Sequence, residues 1–154
     1  MSDLVLAARI DASWNRSSTE KDLSAASEED LRYSYLLGDV ELRSGDIDLG
    51  ASWGWVPLLD FVASLIPLLP RLATTRQESF EFTESGSQLR FYFMNDCVES
   101  RTNYKPGIIC IPYEELMRQA SDFAVNTMKH LREVAPSLDR NPVFRRISDD
   151  LWST

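Results

Sequence analysis

The chain has 154 residues, 44% hydrophobic and 26% charged, with a formal net charge of −8. That length suits a single globular domain over 1–154 with one sizeable core, and the composition excludes wholesale disorder. The negative balance argues against nucleic acid or an anionic membrane as a direct partner.

The charge is unevenly placed. Residues 1–100 carry 17 acidic against 8 basic side chains, and residues 101–154 carry 7 against 8. Simple solubility accounts for such a bias, and so does an acidic surface kept for a basic partner. The two cysteines, Cys97 and Cys110, are too few for a disulfide framework. Each sits in an apolar-rich run, where a free cysteine packs as a small core residue. A reducing, cytoplasmic compartment is the simpler expectation. The opening Met-Ser-Asp-Leu-Val lacks the basic n-region of a signal peptide.

Leu4, Leu6, Ala8 and Ile10 alternate with Val5, Ala7, Arg9 and Asp11, which predicts a first strand over about 3–12. The polar stretch 13–30 reads as a mobile loop with a helical turn near Glu20–Ala26. Trp14 stands at its base, as a core residue or a binding anchor. Tyr33, Tyr35 and Leu37 alternate with Arg32 and Ser34, predicting a second strand over Leu31–Leu37. Gly38-Asp39 then bends the chain into a hairpin, Val40–Leu49.

A two-residue loop at Ser44-Gly45 sets the register of that hairpin. Leu42 then faces Ile47, and Val40 faces Leu49. On the other face Glu41 stands opposite Asp48, a like-charge pair that costs stability. Either the outer face is simply solvated, or the acidic face is kept for a partner. Trp53 and Trp55 flank Gly54 just beyond, either capping the core or standing out as interface anchors.

Pro57 suits a first helical turn. The following Leu58, Leu59, Phe61, Val62, Leu65, Ile66, Leu68 and Leu69 predict a helix buried on most sides over about 56–70. Pro67 is expected to kink or end it. Asp60 either emerges on a solvent-facing strip or is buried with a partner such as an arginine. The span 53–72 approaches the roughly 20 residues of a bilayer crossing, but Asp60 and three prolines make a poor membrane segment.

Two turns organise the next segment. A loop at Ser85-Gly86 pairs Phe82 with Leu89, Glu81 with Arg90 and Phe80 with Phe91. A turn at Asn95-Asp96 pairs Phe93 with Val98 and Tyr92 with Glu99. The outcome is a three-stranded antiparallel meander over 78–84, 88–94 and 97–103 with one aromatic face. Pro106-Gly107 fits a type II turn, and Ile108–Ile111 forms a short apolar run. Pro112 opens a long helix over about 112–135, with Leu116, Ala120, Phe123, Ala124, Thr127, Met128 and Leu131 inward. Asn141-Pro142 starts a short last helix with Val143, Phe144, Ile147, Leu151 and Trp152 inward. The fold class is therefore α+β: antiparallel hairpins and a meander packed against a buried helix and a long helix.

Catalytic signals are sparse. His130, the single histidine, sits near a helix C-terminus beside Lys129 in a commonly solvated position. No Cys-x-x-Cys, His-Glu-x-x-His, P-loop or Gly-x-Gly-x-x-Gly string occurs. The nearest metal-like spacing is Asp46-x-Asp48 across from Glu41, without the glycine loop and terminal glutamate of an EF-hand. Neither a cofactor nor a metal ion is expected, and no enzymatic activity. Charge placement and aromatic anchors nominate Asp39, Glu41, Asp46, Asp48, Trp53, Trp55, Asp96 and Glu99 as partner-binding residues.

The chain resembles a known class in its order of elements over residues 31–150. A hairpin, a buried helix and an aromatic meander precede Ile111-Pro112-Tyr113-Glu114-Glu115-Leu116, which opens a long helix. That helix closes at Ala135-Pro-Ser-Leu-Asp-Arg-Asn-Pro142. This order, with the length and acidity, is similar to the small bacterial immunity proteins that guard a cell against polymorphic or contact-dependent toxins. The resemblance implies a cytoplasmic, non-enzymatic inhibitor whose partner is a cognate toxin domain or basic effector. Two further readings stay open. One is a small α+β enzyme or ligand-binding domain with a pocket between the meander and the long helix. The other is an adaptor using the apolar 53–72 segment as its interface.

Overall fold

A computed structural model describes residues 3–11, 22–82 and 85–152. In chain order the elements are β1 (Val5–Ile10), α1 (Glu28–Tyr33), β2 (Leu37–Ser44), β3 (Ile47–Asp48), β4 (Ala51–Pro57) and α2 (Leu58–Thr75). They continue with β5 (Gln77–Glu81), β6 (Gln88–Met94), β7 (Cys97–Thr102), β8 (Ile109–Pro112), α3 (Tyr113–Val134), a 3₁₀ turn over Pro136–Arg140 and α4 (Pro142–Leu151). Two antiparallel sheets result. In the first, β1 lies on one side of β2, while β3 and β4 follow one another along the other side. The second runs β5-β6-β7-β8. The α+β class is thus as read from the sequence, with β8 extending the meander to four strands.

Alternation explains which strand faces are buried. Val40 and Leu42 on β2 and Leu89 and Phe91 on β6 are all under 5% exposed. Phe61 of α2 joins the layers: its ring lies 5.0 Å from Phe80, 5.9 Å from Phe82 and 5.9 Å from Phe123 of α3. The seven apolar-stripe residues named for the long helix are all buried. Burying side chains of this size is worth roughly 1.5–3 kcal/mol each.

Several expectations are corrected. The segment 31–37 is not a strand. Ser27 caps a short helix there, its Oγ accepting from the Asp30 N–H at 3.2 Å, and Glu28, Glu29 and Asp30 fill the first turn. This cap-and-acid signal outweighs the tyrosine alternation, and Gly38-Asp39 lies inside β2 instead of bending the chain. Helix α2 runs through Pro67 and Pro70 to Thr75. Both prolines are exposed, whereas Leu65, Leu68, Leu69 and Leu72 are buried. That burial offsets a proline cost of about 3 kcal/mol. Asp60 takes the buried alternative, 7% exposed, with Arg32 Nη1 donating to it at 2.7 Å. Trp152 caps α4 and is 49% exposed rather than inward. Cys97 and Cys110 are not free thiols: a disulfide joins them across β7 and β8, with Cα atoms 6.2 Å apart. Trp14 and the first half of the predicted 13–30 loop, residues 13–21, lie outside the described residues.

The hairpin registers also differ. The first turns at Gly45-Asp46, so Arg43 faces Asp48 and Ser44 faces Ile47. Gly45 has φ +58, and a glycine in the first position suits a type II′ turn. In the second hairpin Phe80 faces Leu89, Glu81 faces Gln88 and Ser79 faces Arg90. Each slip is by two residues, so the inward set stays inward while cross-strand partners change. The turn at Asn95-Asp96 has the expected pairing, Phe93 with Val98 and Tyr92 with Glu99.

Candidate binding face on the first sheet

The outward residues of β1 and β2 form a regular array. Arg9 stands opposite Asp39, Ala7 opposite Glu41 and Val5 opposite Arg43. On the other side of β2, Arg43 stands opposite Asp48. The small Ala7 leaves room between the charged side chains, and a cleft of about 450 Å³ opens there. Arg9, Asp39, Glu41, Arg43, Asp48 and Ser52 line it.

His130 closes one flank. The long helix α3 brings it to β1, where its Nε2 accepts the Ile10 N–H at 3.1 Å. The neighbouring Asp11 N–H goes to Leu37 O on β2. The Ile10 N–H therefore points to the free edge of β1, which His130 covers. Accepting at Nε2 requires the neutral imidazole with its proton on Nδ1.

The feared like-charge pair is absent. Glu41 accepts from Arg43 Nε at 2.8 Å and lies across from Ala7. Asp48 accepts from the Gly50 N–H at 2.8 Å and pairs with Lys105 Nζ at 3.2 Å. The Gly50 N–H, and then Lys105, hold the Asp48 carboxyl below its ordinary value by stabilising the anion. Lys105 arrives from the loop after β7. In the same loop the Tyr104 hydroxyl donates to Leu49 O at 3.0 Å, joining the second sheet to the first. Burial, and then the Asp48 charge, push the Tyr104 phenol up, so it remains a donor.

Of the nominated residues, Asp39, Glu41 and Asp48 meet in the cleft. Asp39 is partly committed to the fold, its carboxylate accepting from the Gly54 N–H at 2.7 Å. Asp46 is exposed in the β2–β3 turn. Trp53 and Trp55 stack on one another at 5.0 Å in β4. Asp96 and Glu99 belong to the second sheet and do not line the cleft. Glu99 pairs with Arg101 at 2.7 Å, and Asp96 uses its carbonyl to accept from Tyr113 N. Sequence reasoning missed Arg9, Arg43, Ser52 and His130. Strand alternation could have placed the two arginines beside the carboxylates. Nothing local signals His130, whose partner is 120 residues away.

Among the described residues no group of three His, Cys, Asp or Glu side chains is disposed to hold a metal ion. The helix long and apolar enough to cross a membrane is α2, half buried inside the protein. Fold and face together define a mixed α+β protein with an open, charge-paired sheet surface. No protein-family model, curated protein or solved structure matches the chain.

Proposed function

We propose that the chain is a non-enzymatic binding protein of the immunity type, which neutralises a cognate bacterial toxin domain of basic surface. The observation that carries this reading is the gathering of Asp39, Glu41 and Asp48 on one uncovered sheet face. The cationic partners of Glu41 and Asp48, namely Arg43 and Lys105, are surface groups that a partner's cations can displace at little cost. An excess of carboxylates beyond the cleft, reflected in the net charge of −8, speeds encounter with a basic protein.

The test is charge reversal. Glu41→Lys with Asp48→Lys leaves the melting temperature within a few degrees and slows association with the cognate toxin domain that this reading requires, most strongly at low salt. Unchanged association by surface plasmon resonance sinks the acidic-face reading. The cytoplasmic part of the proposal carries its own requirement, because cytosolic proteins rarely keep structural disulfides. A Cys97→Ser, Cys110→Ser chain should fold, and a collapsed circular dichroism spectrum would count against a cytoplasmic site of action.

A second reading has one observation of its own. The cleft has Ser52 and one residue of the long helix, His130, on its wall, although it lies on the first sheet and not between the meander and that helix. A small molecule retained through native mass spectrometry favours a ligand-binding domain over a toxin inhibitor.

A further inference from the structure

The second sheet turns one face to solvent. Along β6, β7 and β8 the inward residues Leu89, Phe91, Val98, Ile109 and Ile111 are buried. Alternation puts Met94, Cys97, Glu99, Cys110 and Pro112 on the opposite face, and none of these is buried. The Cys97–Cys110 disulfide therefore lies on the open side of the sheet, not in the core, where structural cysteines are inert.

The two sulfurs are not equivalent. Cys110 is exposed and belongs to β8, the last strand of the sheet. Cys97 is half-buried on β7, opposite Met94 of β6 on one side and Pro112 of β8 on the other. Exchange proceeds by attack of a thiolate on one sulfur, along the axis of the bond that breaks. For Cys110 that approach comes from beyond β8, where the sheet has no further strand. For Cys97 it comes from the β6 side, where Met94 stands opposite.

Opening the bond leaves the strand seated. Ile109 and Ile111 anchor β8 in the core, and the ladder pairs it with β7 from Ser100–Ile109 to Cys97–Pro112. Just beyond, the Tyr113 N–H donates to Asp96 O at 2.9 Å. The cysteines are 13 positions apart, and so short a loop restrains the unfolded chain less than a long one. Exchange here needs no unfolding.

We propose that the Cys97–Cys110 disulfide is an exchange site for a small thiol such as glutathione, attacked at Cys110. This goes beyond the binding-protein reading and does not depend on it. The incoming thiolate bonds to Cys110 Sγ, the Sγ–Sγ bond breaks, and Cys97 leaves with the electron pair as a thiolate. A second thiolate attacks the incoming sulfur of this mixed disulfide and releases Cys110. Two external thiols are oxidised to one disulfide, the chain's disulfide is reduced to two thiols, and the protons of the external thiols end on Cys97 and Cys110.

The air-oxidised chain is incubated with reduced glutathione in native buffer, quenched with N-ethylmaleimide and digested for mass spectrometry, with the same reaction in urea as comparator. Native opening should proceed within about tenfold of the rate in urea. Chains trapped after the first step should carry glutathione on Cys110 and N-ethylmaleimide on Cys97, in several-fold excess over the reverse, with the far-ultraviolet circular dichroism spectrum unchanged. A bond that opens only in urea, glutathione mainly on Cys97, or a spectrum lost on opening each overturns the proposal. Cysteines that stay free after air oxidation overturn it too. In oxidised glutathione, Cys97→Ser should take up glutathione at Cys110 several-fold faster than Cys110→Ser does at Cys97, and equal rates count against attack at Cys110. If either variant fails to fold, the wild-type chain decides.

Discussion

The molecule handles charge in two opposite ways. Where α1, α2 and α4 meet, Arg32 donates Nη1 to the buried Asp60 at 2.7 Å and Nε to Glu28 at 3.0 Å. Glu28 also accepts from Arg146. On the first sheet, Arg43 pairs with Glu41 and Lys105 with Asp48, but those side chains are 52%, 43%, 31% and 58% exposed. The chemistry is the same and the dielectric is not. The Asp60 side chain is only 10% exposed and that of its partner Arg32 22%, so losing that partner leaves a largely buried charge unpaired. On the sheet, water solvates either partner, and each pair is worth about 0–1 kcal/mol. The first arrangement fastens helices together, and the second leaves its charges exchangeable.

The largest effect should come from the buried side. Arg32→Ala removes the cationic partner of Asp60 and should cost about 3 kcal/mol in urea unfolding. A loss under about 1 kcal/mol would show that water reaches Asp60 and erase the contrast. Next comes the histidine at the edge of the cleft. His130→Ala leaves the Ile10 N–H without its acceptor, for about 1–2 kcal/mol. His130→Gln, which keeps an acceptor, should recover part of it. An unchanged stability in His130→Ala means that water replaces the imidazole freely.

The smallest effect is a slope with pH. Arg146 first, and then Arg32, hold the Glu28 carboxyl below its ordinary value of 4.5. A depressed folded-state pKa contributes stability above the unfolded value and loses it as pH falls through the folded one. Melting temperature should therefore decline on acidification from about pH 5, with Glu28→Gln flattening the decline. A slope equally steep in that variant moves the acid sensitivity to the other carboxyls held low, Asp3, Asp22, Asp48, Glu78 and Glu115.

The two regions were not equally legible in the sequence. The faces of β2 follow from alternation alone, because a register slip by two leaves inward residues inward. Val40 and Leu42 were read as core on that ground, and both are buried. The opposing partner does not follow. The placement of the turn between Ser44 and Asp46 decides whether Asp48 faces Glu41 or Arg43, and the backbone of one glycine makes that choice. The helix α1 was legible in principle from Ser27 and the acids after it, but tyrosine alternation masked it. Arg32 as the partner of Asp60 was legible only as a type: the sequence asks for a cation without saying which one lies near.

By itself, then, the sequence determined the α+β class, the inward stripe of α3 from Leu116 to Leu131, the aromatic face of the meander and the position of its Asn95-Asp96 turn. These depend on periodicity and short-range turn chemistry, which reside in neighbouring residues. Tertiary structure alone decided that Arg9 and Arg43 stand among the carboxylates, that His130 closes the edge of β1, and that Cys97 meets Cys110 across β7 and β8. Those outcomes depend on contacts between distant segments, and such contacts are set by how whole layers pack.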